Sequence, residues 1–392
     1  MTKKAIFLIA VLTVVILVFA LMVGCKKKAE ERPQIKPKKQ LSQKSLKQKK
    51  PVDFDVMSDI TRAQKMLEDW DAGYYIGERT VHNGKAGKSR KEWKTQRLED
   101  FNVLLAVENI ADRKIEIIKL QQKGKQAPKG FAISSGKSNG VNTAFDVVYP
   151  DGYVLQALKR VVKSGKVFQE VVYTPYTKEI DTSKMRDAGL EYLRSNLEGA
   201  EMDLRLALVM SRAYGGLVAD AVPRDVALTL SLIEHIDPGR FQRGEPVRQL
   251  MNEVLVIAAA NGNKAYAYSV SPAGARGLFQ FMPRTYRSVS RQYDQAGLDR
   301  DFVRGMENHR NAAKASLLLF DSDLSYLPVR HRQFLRKHPE AMGKYLAAAY
   351  NGGASRAARA IRIYRGEWES HVLPETQCYL KKFNAVWKIL HS

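Results

Sequence analysis

Ser271-Pro272-Ala273-Gly274-Ala275-Arg276-Gly277-Leu278-Phe279-Gln280-Phe281-Met282-Pro283 sits between two stretches of helical spacing. Its glycines let a backbone come close to a ligand, and Gln280 offers both a donor and an acceptor. Two more segments follow in the same half of the chain. Ala348-Ala349-Tyr350-Asn351-Gly352-Gly353 ends a helical run with a phenol and an amide in its last turn, where a C-cap by itself explains the glycines. Pro374-Glu375-Thr376-Gln377-Cys378-Tyr379 opens the last helical run, and an acid there is favoured by the helix dipole.

Around these segments the chain from about residue 184 to 392 reads as helix after helix. Leu190, Leu193 and Leu197, then Leu204, Leu206, Val209 and Met210, keep helical spacing. Val222-Pro223-Arg224-Asp225 marks a loop before a helix over Val226–Glu234. Another helix is expected over Pro246–Ala260, stopped at Asn261-Gly262. Later ones are expected at Asn308–Phe320, Gln333–Leu335, Met342–Tyr350, Arg356–Tyr364 and Tyr379–Leu390.

Residues 53–183 have a different pattern. A helical stretch near Ile60–Trp70 precedes short runs of β character at Asn102–Glu108, Lys114–Leu120, Asn142–Tyr149, Tyr153–Val162 and Lys166–Thr174. Asp151-Gly152 and Ser164-Gly165 sit where hairpin turns belong. This predicts a small antiparallel sheet with at least one helix, and no catalytic spacing within it, which leaves a binding or positioning module. Tyr149, Tyr153, Phe168, Tyr173 and Tyr176 are expected in core and cross-strand pairs. The fold class expected for the chain is therefore α+β, with the sheet-bearing module first and an all-α domain after it.

Taken together and in order, the three segments resemble the lytic transglycosylases of glycoside hydrolase family 23, whose motifs look like S-x-x-G-A-x-G-L-x-Q-x-M-P, A-Y-N-x-G and E-T-x-x-Y. The resemblance covers roughly residues 220–390, and three motifs in order make it specific. It implies a lysozyme-like α-helical domain that cleaves the peptidoglycan bond between MurNAc and GlcNAc. It also implies an acid, a Glu at the end of a helix ahead of the first segment.

Glu234, in Leu230-Ser231-Leu232-Ile233-Glu234-His235, is the candidate acid. Leu230 and Ala227 lie four and seven residues before it, so Glu234 shares an apolar stripe. A carboxyl there is partly desolvated and keeps its proton near neutrality, as a general acid must. The plainer reading is a half-buried Glu paired with Arg224 or Arg240. Glu253, in Met251-Asn252-Glu253-Val254, is the alternative acid if residues 239–268 are not an insertion.

By motif position the resemblance assigns Ser271, Gln280, Tyr350 and Asn351 to orienting the acetamido group and sugar, and Met282, Glu375 and Tyr379 to lining or supporting the cleft. It implies a single acid helped by the N-acetyl group of MurNAc, a 1,6-anhydroMurNAc product, and neither cofactor nor metal. The seven histidines show no ligand spacing such as H-E-x-x-H. A goose-type lysozyme that hydrolyses the bond, or a non-catalytic peptidoglycan-binding lipoprotein, are the competing readings.

Composition fits a folded, exported protein. The 392 residues are 45% hydrophobic and 27% charged, which excludes a disordered, collagen-like or polytopic membrane chain. Cys25 and Cys378 are too few for a disulfide scaffold or a multi-cysteine metal site. Lys3 and Lys4 lead into an apolar run from Ala5 to Gly24, the layout of a secretory signal over residues 1–24. Leu21-Met22-Val23-Gly24-Cys25 resembles a bacterial lipobox, which implies acylation of the Cys25 thiol and a membrane tether. An uncleaved membrane anchor is the other reading of the run. Lys26 beside Cys25 sets the expectation of a lipid-anchored periplasmic protein at the outer membrane.

The basic, proline-containing stretch to residue 52 cannot bury enough surface to offset ordering entropy and is expected to be an extended linker. The formal net charge is +23, and residues 26–50 alone hold eleven basic against two acidic residues. Such a charge attracts polyanions, including the stem-peptide carboxylates of peptidoglycan. No RNP, KH or zinc-finger signature points to nucleic acid, so the expected partners are glycan strands and the membrane.

Overall fold

The alternating runs of the first half and the helical runs of the second take shape in a computed structural model. It describes residues 55–70, 78–80, 93–95, 103–121, 126–136, 140–164 and 167–392. The expected signal segment, Cys25, the basic linker and the Ser164-Gly165 turn lie outside the described residues, wholly or in part. Phe54–Ser392 forms one compact unit.

Helix α1 (Val56–Glu68) leads into a short pair of strands, β1 (Glu78–Thr80) and β2 (Trp93–Thr95). The main sheet has four antiparallel strands: β3 (Val103–Asn109), β4 (Ile115–Leu120), β7 (Tyr153–Ser164) and β8 (Val167–Tyr173). Their order across the sheet is β4-β3-β7-β8. Between β4 and β7 lies a second hairpin, β5 (Ala132–Ser135) with β6 (Phe145–Tyr149). Alternation sorts the side chains. Leu104, Ala106, Ala157 and Val172 face α1 through Ala63 and Leu67, while Val103, Leu105, Val107 and Tyr173 join the large core on the other face. A bulge at Ala106/Val107 shifts the register, so that Leu155 and Leu158 join that same core although three residues apart.

The helical domain begins with α2 (Ser183–Leu206), capped by Thr182, whose hydroxyl accepts from the Met185 amide at 3.2 Å. It continues with α3 (Arg224–Ile233), α4 (Pro238–Gln242), α5 (Val247–Asn261), α6 (Pro283–Gln292), α7 (Phe302–Glu307) and α8 (His309–Leu324). The last four are α9 (Val329–Lys337), α10 (Pro339–Gly352), α11 (Ala354–Tyr364) and α12 (Pro374–Leu390). Gly189 lets α2 and α5 touch, since a Cβ there would lie 1.9 Å from the Leu255 carbonyl oxygen.

The sheet module and the helices share a core and are tied at their seam. Asn261, at the end of α5, accepts from the Thr174 amide at 2.7 Å and donates to its carbonyl at 2.8 Å. Gln64 of α1 donates to the Ala260 carbonyl at 3.0 Å. These bonds hold the end of α5 against the chain leaving β8.

Some expectations need correction. The helical spacing of Leu204, Leu206, Val209 and Met210 does not describe one helix. The chain turns at Leu208, which takes a positive φ of 52°, leaving Leu206 and Met210 exposed while Val209 enters the core. The run expected to be a strand from Asn142 begins only at Phe145, because residues 140–142 form a 3-10 turn. Among the tyrosines expected in core pairs, Tyr173 is fully buried and Tyr153 packs edge-on to Phe131 at 5.7 Å. Tyr149 is exposed and so is not a core residue, whereas Tyr176 is partly buried, packs against the core and also lines a cavity. Among the described residues no helix is long and apolar enough to cross a membrane.

Candidate active site

Helix α3 is apolar on nearly every side and all eight residues from Val226 to Ile233 are buried. It ends as the chain turns toward Asp237-Pro238, and Glu234 is the first residue after its last turn, on the stripe that carries Ala227 and Leu230. Glu234 is half-buried where two cavities meet. One, of about 480 Å³, also takes in Ser269, Ser271 and Gln280. The other, of about 750 Å³, takes in Asn351, Glu375 and Tyr379. Glu234, Ile236, Pro238 and Ser271 line both.

The carboxyl is held by helix α12. The Tyr379 hydroxyl donates a hydrogen bond to Glu234 Oε1. One turn on, the buried Lys382 ammonium donates to the carbonyls of Ile233 at 2.8 Å and Ile236 at 3.3 Å, the residues just before and just after this turn. Lys382 therefore caps the end of α3 with a cation, where the dipole favours one. Burial pushes the Glu234 carboxyl up to about 7, against the pull of the Tyr379 hydroxyl and the Lys382 charge. Burial also lowers the Lys382 pKa, and Glu234 raises it back in part.

The first motif forms a tight loop closed on itself. Ser271 Oγ accepts from the Ala275 amide at 3.0 Å, and the Ser271 amide donates to the Ala275 carbonyl at 2.9 Å. Gly277 has φ of +75°, and a Cβ there would lie 2.4 Å from the Met306 carbonyl oxygen, so only glycine fits. Gln280 also has positive φ and its amide donates back to the Gly277 carbonyl at 2.9 Å. His235 binds this loop to α3. Its Nε2 donates to the Leu278 carbonyl at 2.9 Å and its ring stacks on Tyr266 at 3.6 Å. Burial pushes its pKa down to about 3, so the ring is neutral.

The second motif braces the same loop from the other side. The Tyr350 hydroxyl donates to the Phe279 carbonyl, and its ring meets Phe281 edge-on at 6.1 Å. Asn351 accepts at Oδ1 from the Thr376 hydroxyl at 2.8 Å, which ties the end of α10 to the start of α12. Glu375 is exposed in the first turn of α12, on the wall of the larger cavity. Met282 is exposed at the N-cap of α6 and lines neither cavity.

The arginines proposed as plain partners of Glu234 are engaged elsewhere. Arg224 pairs with Glu198 and Glu201. Arg240 grips both oxygens of Glu253 at 2.5 and 2.7 Å and also pairs with Glu245. The half-buried Glu–Arg pair exists in this molecule, but it is the alternative acid Glu253 that forms it. Both oxygens of Glu253 are thus taken up by a guanidinium fork.

Several residues that line or brace the site escape a reading of the sequence. Lys382 and Thr376 belong to α12, three residues from Tyr379 on either side along one helix face, and that spacing is the signal that could have found them. Asn142, Ala144 and Tyr176 come from the sheet module and line the 480 Å³ cavity with Glu234. Among the described residues no group of three His, Cys, Asp or Glu side chains is placed to hold a metal ion.

Comparison with known proteins gives one result. Residues 250–372 match the family model described as Transglycosylase SLT domain. No curated protein and no solved structure matches the chain. The matched segment holds the Ser271–Pro283 loop and the Tyr350-Asn351 turn, while Glu234, Glu375 and Tyr379 lie outside it and are joined to it by the contacts above. The match supports a place for the helical domain among lytic transglycosylases and lysozyme-like proteins, and so an enzyme acting on peptidoglycan.

Proposed function

We propose that this protein is a lytic transglycosylase that cleaves the β-1,4 bond between MurNAc and GlcNAc and leaves 1,6-anhydroMurNAc, with Glu234 as its only acid–base group. The observation that carries this reading is the placing of one carboxyl, raised to about 7 by burial, at the meeting of two cavities walled by all three motifs.

The chemistry follows from the carboxyl's surroundings. Near neutral pH a large share of Glu234 is protonated and can donate its proton to the bridging oxygen as that bond breaks. The MurNAc acetamido group stabilises C1, as in glycosidases that lack a second carboxylate. Glu234 is then an anion steadied by the Tyr379 hydroxyl and the Lys382 charge. It takes the proton of the C6 hydroxyl, whose oxygen bonds to C1 and closes the anhydro ring. The proton lent to the leaving sugar is thus recovered, Glu234 is reset and no water is consumed.

Ser271, Gln280, Asn351 and Glu375, on the cavity walls, are assigned contacts with the glycan. Tyr350 acts through the loop it braces, and Met282 offers exposed apolar surface beside that loop. Asn142, Ala144 and Tyr176 make the sheet module one wall of the cleft, which gives that module its part in the reaction. The lipobox-like Leu21–Cys25 stretch and the basic run behind it support a lipid-anchored periplasmic enzyme that remodels the wall from the outer membrane.

Digestion of purified sacculi followed by mass spectrometry tests the reading. Anhydro ends are the expected product. Reducing ends would make the protein a hydrolase of goose-lysozyme type, and binding without release would make it a non-catalytic wall protein.

A further inference from the structure

Helix α8 buries two aspartates near its C-terminal end, and their surroundings are opposites. Asp321 is fully satisfied. Its oxygens accept from the Ser211 hydroxyl, the Arg212 amide at 2.7 Å, the Ala213 amide at 3.3 Å and the Tyr293 hydroxyl at 2.7 Å. Asp321 is structural.

Asp323, two residues on, is only 7% exposed, and among the described residues its carboxyl has neither a hydrogen bond nor an ion pair. Only its backbone carbonyl is used, accepting from the Tyr345 hydroxyl at 2.6 Å. Its oxygens are not sealed from solvent, yet a mostly buried carboxyl with no protein partner is unfavourable, the more so at the negative end of a helix dipole. Burial pushes Asp323 up to about 7. Nothing in the proposed reaction uses it.

Asp323 lines a cavity of about 520 Å³ together with Ser322, Gln292 and Tyr326. Arg284 and Arg356 line the same cavity, both exposed and neither in an ion pair among the described residues. One space is thus lined by a mostly buried carboxyl and by two exposed guanidiniums, of which Arg356 donates to the Gly352 carbonyl at 3.4 Å. Gly352 and Gly353 complete the wall, directly after Asn351 of the reaction cleft.

We propose that this cavity is a second binding site that takes the zwitterionic head of an α-amino acid, with its ammonium on Asp323 and its carboxylate on Arg284 and Arg356. An ammonium supplies the donors that the carboxyl lacks, and the bond gains from low local dielectric. The carboxylate suits the planar guanidinium fork. The occupant that fits is the free amino-acid end of a peptidoglycan stem peptide, whose sugar lies a few residues away at Asn351. That identification rests on the function proposed above, whereas the site itself does not.

Calorimetric titration of the full-length chain with free 2,6-diaminopimelate tests it, beside pimelate, which lacks the amines, and cadaverine, which lacks the carboxylates. Diaminopimelate is expected to bind at least about tenfold more tightly than either control. Asp323→Asn is expected to weaken it about tenfold or more while cleavage of peptide-free glycan is unchanged. If that variant fails to fold, the double variant Arg284→Ala with Arg356→Ala, at exposed positions, is expected to show the same loss. Equal binding by the variants, equal binding of pimelate, or no uptake by the wild type each overturns the proposal. A chain that takes up diaminopimelate but releases nothing from sacculi refutes the proposed function and leaves this site standing.

Discussion

Tyr379→Phe removes one oxygen from the proposed active site and changes little else, because the ring keeps its buried place on α12. That oxygen donates to Glu234 Oε1 and is the largest influence holding the carboxyl's pKa down against burial. A hydrogen bond to a charged group is worth about 1.5–3 kcal/mol, and about 1.4 kcal/mol corresponds to one pH unit. Losing it should raise Glu234 from about 7 to roughly 8–9. If the protonated form is the acid, as proposed, the wild-type rate is expected to fall as pH rises through about 7, and the variant's rate to fall one to two units higher. The assay is release of soluble muropeptides from sacculi between pH 5 and 10. Below pH 6 both proteins hold the proton and the rates should agree within a few-fold. An unmoved alkaline limb, or one moved to lower pH, refutes the reasoning that links Tyr379 to the acid.

Three other outcomes follow from the same structure. Ala144→Trp places a large ring on the sheet module's side of the cleft at an exposed position, so turnover of sacculi should fall about tenfold or more with an unchanged thermal melt; unchanged turnover would remove the module from the substrate path. Gly277→Ala forces a Cβ against the Met306 carbonyl at a positive φ and should cost about 2–4 kcal/mol in urea unfolding, whereas a loss below 1 kcal/mol would mean the loop relaxes freely. His309 is buried and neutral, donating to the Ala265 carbonyl at 2.6 Å and accepting from the Tyr192 hydroxyl at 2.8 Å, with its pKa pushed down by burial to about 4. The unfolded chain binds that proton near pH 6.5 and the folded one does not, so the stability of wild type relative to His309→Gln should shrink by about 3 kcal/mol from pH 7 to pH 4 in urea titrations, and a constant gap would contradict this.

Much of the fold could be read from local pattern, and the failures have local causes. The strands were legible because Leu104 and Leu105 face different cores, and because Asp151-Gly152 marks the turn into β7. Glu234 was singled out by the family resemblance, which expects an acid at a helix end ahead of the first motif, and its spacing from Leu230 and Ala227 accounts for its half-burial at the end of α3. The end of α2 was not, since hydrophobic spacing continues past Leu206 while the backbone turns at Leu208. Charge pairing was the least legible. The guanidinium of Arg240 could have reached Glu234 or Glu253, and only the placing of α4 against α5 decides for Glu253. Lys382 lies nearly 150 positions from the turn it caps, and Asn142 and Ala144 reach the cleft only because the seam at Thr174 and Asn261 holds the two parts together.

In the proposed reaction one sheltered proton does the work, and Glu234→Gln removes it while keeping nearly the same shape. Comparing soluble fragments released from sacculi by wild type and by this variant, with sacculus binding measured alongside, is the direct test. Release should fall about 10²–10⁴-fold with binding retained. A glutamine variant that dissolves sacculi as fast as the wild type would show that the acid lies elsewhere.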